Sequence, residues 1–186
     1  MEANFNKKEG IKKQIRESYG KLVYSYTTHL KFAQLLEKKH SIIKWILIVL
    51  SASSTCGLLG VLIDWNTRLL AIITTILTTI SLALSTYLKS ANFETQIVKH
   101  RATAHALWVL REKYISTLTD FDDYSENELK EIRDNLTKSL SGIYKNEPMT
   151  DSKSYQMAQR ALKEQEEQFF TDDEIDKMLP SHLRIK

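Results

Sequence analysis

WILIVLSASSTCGLLGVLI at Trp45–Ile63 and LLAIITTILTTISLALSTYL at Leu69–Leu88 are the two stretches whose reading decides the fold. Neither contains a charged residue. Nineteen or twenty residues at a helical rise of about 1.5 Å give roughly 30 Å, the thickness of a bilayer's hydrocarbon core. A buried helix of a water-soluble protein would explain one such window. Two in succession, joined only by Asp64-Trp65-Asn66-Thr67-Arg68, predict an antiparallel transmembrane hairpin, because so short a link leaves no other arrangement. Trp45, Trp65 and Tyr87 stand at the window ends, and Lys44 and Lys89 flank them. These residue types anchor at the headgroup level, with an apolar body below and a polar tip above.

Whole-chain averages conceal this. Over 186 residues, 26% are charged and the mean hydropathy is -0.31, values typical of a soluble protein. The charge lies almost entirely outside the two windows. Lys38, Lys39 and Lys44 precede the first span, Lys89, Lys99 and Arg101 follow the second, and the link holds only Arg68. By the positive-inside rule both termini are expected in the cytoplasm and the link outside. The first apolar run follows some forty Lys- and Arg-rich residues, too late for a cleaved leader. Cys56, the single cysteine, excludes an intrachain disulfide and reads as a small packing residue.

Hydroxyls pattern the spans. Thr74, Thr78, Ser81 and Ser85 follow one another at spacings of 4, 3 and 4 and so share a helix face. Thr75, Thr79 and Thr86 form a second stripe. In the first span Ser51, Ser54 and Thr55 gather on one side, with Ser53, Gly57 and Gly60 roughly opposite. Small residues and hydroxyls serve helix association, and a hydroxyl can also bond its own preceding turn. Alternatively, Thr74, Thr78, Ser81, Ser85, Ser51, Ser54 and Thr55 line a polar path once several hairpins assemble, since two helices enclose no pore. Ser53, Gly57 and Gly60 are then the packing face. The spans hold no ionisable route for protons.

Outside the spans the chain stays helical. Ile15, Tyr19, Leu22, Tyr26, His29, Ala33, Leu36 and His40 recur at spacings of 4 and 3, as do Phe93, Ile97, His100, Ala104, Leu107, Arg111, Tyr114 and Leu118. Two such seams predict a coiled-coil-like stalk. With prolines only at 148 and 180, both span helices are expected to continue into the cytoplasm without a break. No His pair has the i,i+3 or i,i+4 spacing of metal ligands on one helix, so His29, His40, His100 and His105 read as packed or solvated side chains. Asp120-Phe121-Asp122-Asp123 lacks the Gly and Glu of a calcium loop and reads as a turn.

Ser125-Glu126-Asn127-Glu128 and Thr171-Asp172-Asp173-Glu174 read as capping boxes that open helices. Between them a further helix is expected from about Asp151 to Gln168. The expected architecture is an all-α membrane protein, a two-span helical hairpin extended into a cytoplasmic helical stalk with two to three additional C-terminal helices. Residues 1–119 form the hairpin and stalk; residues 120–186 form a C-terminal segment folded back on it. Residues 1–44 carry a net charge of +6 and residues 146–186 a net charge of -3. The basic part suits anionic lipid, and the acidic part suits a neighbouring subunit. No nucleic-acid-reading motif accompanies the basic residues.

RESYGKLVYSYTTHLKFAQLLEKKH (16–40), running into two spans with a short link, together with IYKNEP (143–148) and SYQMAQRALKEQEEQFFTDDEIDKMLPSHLR (154–184), resembles the SLATT family of bacterial two-span effectors. The resemblance covers about Lys7 to Arg184. Its more specific part is the tail, with Tyr144, Pro148, Tyr155, Ala158, Glu174, Ile175, Leu179 and Pro180. It implies an anti-phage role in which oligomers breach the bacterial inner membrane and arrest growth. Members of that family are associated with nucleotide second-messenger synthases, nucleotide sensors or reverse transcriptases, so a trigger is expected from such a separate partner or from a site formed by the cytoplasmic helices. A non-conducting membrane anchor or scaffold is the competing expectation. An enzyme is not expected, for want of a nucleophile–base pair, metal spacing or phosphate loop, and no cofactor is called for.

Overall fold

A computed structural model describes residues 2–62 and 67–185. Six α-helices and two short 3-10 turns make up the described residues, with no strand among them. α1 (Glu2–Leu62) is a single helix of 61 residues, about 90 Å long at helical rise. α2 (Thr67–Ala91) returns antiparallel along its C-terminal part, and α3 (Phe93–Thr119) continues down its N-terminal part. α4 (Glu126–Asn146) and α5 (Ser152–Lys163) pack on the stalk, and α6 (Asp172–Met178) is a short terminal helix. This is the expected hairpin, stalk and C-terminal helices, three in number. Trp65 lies outside the described residues.

The seam of α1 does not stop at the stalk. Beyond His40, the residues turned inward are Ile43, Leu47, Leu50, Ser54, Gly57 and Val61, still alternating at 3 and 4. On α2 the inward set is Leu70, Thr74, Leu77, Ser81, Leu84 and Leu88. The rungs descend in step from the link: Gly57 against Thr74, His40 against Phe93, His29 against His100, Tyr19 against Tyr114.

One expectation fails. The second arm of the hairpin is broken at Asn92, whose backbone is left-handed (φ 48°, ψ 43°). Leu88 and Phe93 are both inward residues, five apart where the seam allows three or four. Asn92 absorbs the slipped residue, because asparagine tolerates this conformation better than other side-chain-bearing residues. Gln96 closes the gap: its Nε2 donates to Ala91 O at 2.7 Å and its N–H to Asn92 O at 3.2 Å.

α4 rises from the far end of the stalk towards the spans. At its start Lys8 Nζ donates to Tyr124 O at 2.6 Å; at its end Glu147 reaches His29. Both ends match the sequence signals. Ser125 and Glu128 complete a capping box, and Glu147-Pro148 ends the helix in extended backbone. Leu129, Leu136 and Leu140 close the main core with Ile15, Leu22, Leu107, Leu110, Tyr114 and Phe121.

α5 lays Ser154, Ala158 and Ala161, all fully buried, on α1. Their small size lets the backbones approach. This helix stops at Lys163, short of the expected Gln168. Three nearby carboxylates (Glu164, Glu166, Glu167) oppose the negative end of the helix dipole. Glu166 and Gln168 take positive φ, and the turn brings Glu167 within 2.6 Å of Lys31 Nζ. The Thr171–Glu174 capping box then opens α6.

Candidate functional site: the hairpin faces and the histidine rung

Two helices are long and apolar enough to cross a membrane, and none of either apolar window is buried within the chain. α2 has no buried residue at all. Its apolar side chains, among them Ile72, Ile76, Ile80 and Leu82, stand 45–67% exposed. Such a surface needs lipid or other protein around it.

The hydroxyl stripe divides in three dimensions. Thr74 and Ser81 turn into the seam with Ser54; their hydroxyl oxygens are enclosed between the spans without a hydrogen-bond partner. Thr78 and Ser85 lie on the flank. With Ser51, Leu47, Leu82 and the edge of Ser81 they border a groove of about 610 Å³. Next to it, nearer the link, Thr74, Thr75, Thr78 and Thr79 border a second groove of about 360 Å³. Thr55 is exposed and donates to Ser51 O at 3.0 Å.

The other flank is built of small residues. Ala52, Ser53, Cys56, Gly57 and Gly60 face Leu70, Ile73 and Leu77 around a groove of about 540 Å³. At Gly57 the spans approach closely, since any Cβ there would collide with Thr74 Oγ1. The hairpin therefore has a hydroxyl flank and a small-residue flank.

On the hydroxyl flank the donors are spent locally. Thr75, Thr78 and Thr79 donate to the carbonyls of Ala71, Thr74 and Thr75 at 2.7–2.8 Å, and Thr86 and Ser85 donate to Leu82 O at 2.8 and 2.9 Å. This bonding hides polarity from lipid, while leaving oxygen lone pairs outward.

A belt marks the end of the spans. Lys39 Nζ sits over the rings of Tyr87 and Phe93, 5.6 and 5.4 Å from their centroids. Lys44 Nζ lies 3.3 Å from Glu94 Oε1, and Trp45 is 65% exposed. Lys89 is exposed in the last turn of α2. The slip at Asn92 falls at this level.

Further down the stalk is a site that spacing along one helix could not reveal. His29 and His100, on different helices, meet with their Nδ1 atoms 2.9 Å apart, and both are buried. His29 Nε2 lies 3.3 Å from Glu147 Oε2. With Glu147 accepting from Nε2–H, His29 offers Nδ1 as acceptor and His100 donates. The row thus ties α1, α3 and the α4–α5 connection together. Burial, and secondarily the facing His29, lowers the His100 pKa from 6.5 to about 4, so this ring is neutral near pH 7. The Phe32 ring covers it, with centroids 4.3 Å apart. His40 stacks on Phe93 and His105 on Trp108. The signal that could have found the pair is the hairpin register, which sets positions equidistant from the link against each other.

Among the described residues no group of three or more His, Cys, Asp or Glu is placed to hold a metal ion. No curated protein and no solved structure matches the chain. The profile of the SMODS and SLOG-associating 2TM effector domain family 4 matches residues 11–174, from the stalk through both spans to the second capping box. With two membrane-length apolar helices and a match over most of its length, the chain belongs to this SLATT family of two-transmembrane effectors of conflict systems.

Proposed function

We propose that the protein is a non-enzymatic, pore-forming effector of bacterial anti-phage defence, whose oligomer breaches the inner membrane and arrests the infected cell. The observation that carries this reading is the two-flanked hairpin. A flank of small residues suits close packing of neighbouring helices, and a flank of hydroxyls suits a wet path. One hairpin encloses nothing, so both features gain a use only in a ring of copies. In that ring the Thr78–Ser85 flank, with Ser51, faces the path, while Ser53, Gly57 and Gly60 face the neighbour.

Both termini lie in the cytoplasm on this reading, as the basic residues around the spans favour. The stalk then receives a signal from a separate protein or a small molecule, and the helices of the C-terminal segment hold the resting state. The test is ion flux from liposomes containing the purified chain, alongside membrane potential in cells expressing it. Replacing Ser51, Thr78 and Ser85 together by Ala, Val and Ala should lower flux at least tenfold without loss of insertion. Full growth arrest with an unchanged membrane potential would overturn the reading in favour of an anchor.

A further inference from the structure

Below the spans, α1 and the connection from α4 to α5 enclose a cleft of about 510 Å³, within the size range of small-molecule sites. One wall is aromatic. The rings of Tyr24 and Tyr155 lie 28° from parallel with centroids 6.0 Å apart, and both side chains line the cleft. The floor is His29, whose side chain is only 2% exposed, with Glu147 beside it at 30%. Ser25, Thr28 and Thr150 add hydroxyl groups.

The charges decide the ligand class. At the rim the Lys21 ammonium and Glu17 carboxylate are 2.8 Å apart and neutralise each other. Glu147 remains, with one carboxylate oxygen bonded to His29 and the other not used by that bond. A phosphate or carboxylate placed here would face Glu147 and two electron-rich rings, and the one ammonium lining the cleft is already paired. A cation would find a carboxylate beside two aromatic rings, the combination that recognises organic ammonium groups.

We propose that this cleft binds a small organic ammonium compound, its charged head against Glu147 and its apolar body along Tyr24 and Tyr155. Because the walls belong to α1 and to the segment Glu147–Tyr155, an occupant sets how firmly the C-terminal helices are held to the stalk. This regulatory consequence rests on the effector reading; the binding itself does not.

Isothermal titration of the full-length chain in detergent micelles tests it, with benzyltrimethylammonium as the cationic probe. Benzyl alcohol serves as the uncharged probe and inorganic phosphate as the anionic one. The cation should bind saturably, at least tenfold tighter than the alcohol, and phosphate should not bind. Tyr155→Leu, at a half-exposed position, and Glu147→Gln should each weaken the cation at least fivefold, with folding checked by circular dichroism. Equal binding of cation and alcohol, binding of phosphate instead, or undiminished cation binding in both variants would overturn the proposal. Failure of binding alongside intact liposome flux sinks the cleft alone; binding without flux under any condition sinks the effector reading alone.

Discussion

The same heptad seam runs through both ends of this hairpin, yet the two ends are finished to different degrees. In the stalk, α4 and α5 add a second layer, and Leu22, Leu107 and Leu129 are fully enclosed. In the spans there are two helices and nothing more, and α2 buries no side chain. Seam pairing alone therefore does not make a core; a further layer does. The stalk supplies that layer from its own chain, and the spans take it from lipid and, on the proposed reading, from other copies.

The largest test of this contrast compares Leu107→Ala with Leu82→Ala. The first should lower stalk stability by about 2–5 kcal/mol, as for other enclosed leucines, read by chemical denaturation in micelles. The second, at a side chain 67% exposed, should change it by less than about 0.5 kcal/mol. A large loss at Leu82 under assembling conditions would place that residue between subunits.

Acid should loosen the stalk and leave the spans intact. His100 is held neutral down to about pH 4 when folded, whereas the unfolded chain takes up the proton near pH 6.5. Stability is thus full above about pH 6.5, falls as the pH drops towards 4, and is level below that as far as this group is concerned. The loss is on the order of 3 kcal/mol. His100→Leu should flatten that limb of a Tm-against-pH curve.

A smaller effect is expected where the spans touch. Gly57→Ala drives a methyl into Thr74 Oγ1, and overpacking of this kind costs about 1–3 kcal/mol. Cysteine crosslinking between the spans should weaken, and a second change, Thr74→Ala, should restore it. Smallest is Asn92→Ala, which places an ordinary side chain in the left-handed region at about 1 kcal/mol; amide exchange at Gln96 should quicken.

Much of the architecture was legible because it depends on period and length. The charge-free windows, the 3–4 alternation and the two capping boxes each report local chemistry, and each appears where the sequence places it. The slip at Asn92 was less visible, since no proline marks it; only the five-residue step from Leu88 to Phe93 gives it away. The division of Thr74 and Ser81 from Thr78 and Ser85 depends on which edge of a shared face meets the partner helix. That is a matter of tertiary rotation, which spacing does not contain. The His29–His100 rung likewise requires two chain positions 71 residues apart to be set opposite each other. The turn after α5, in which Glu167 meets Lys31, likewise joins residues far apart in the chain.

α1 crosses the whole molecule as one unbroken rod, and its partner is articulated at Asn92. Rotation applied at the foot of the rod is transmitted to its top with no joint to dissipate it. Beside it, the companion strut has its one interruption at Asn92, level with the Lys39, Tyr87 and Phe93 cluster. The molecule is in that sense a crankshaft with a single bearing, and the bearing sits where the apolar spans give way to the stalk.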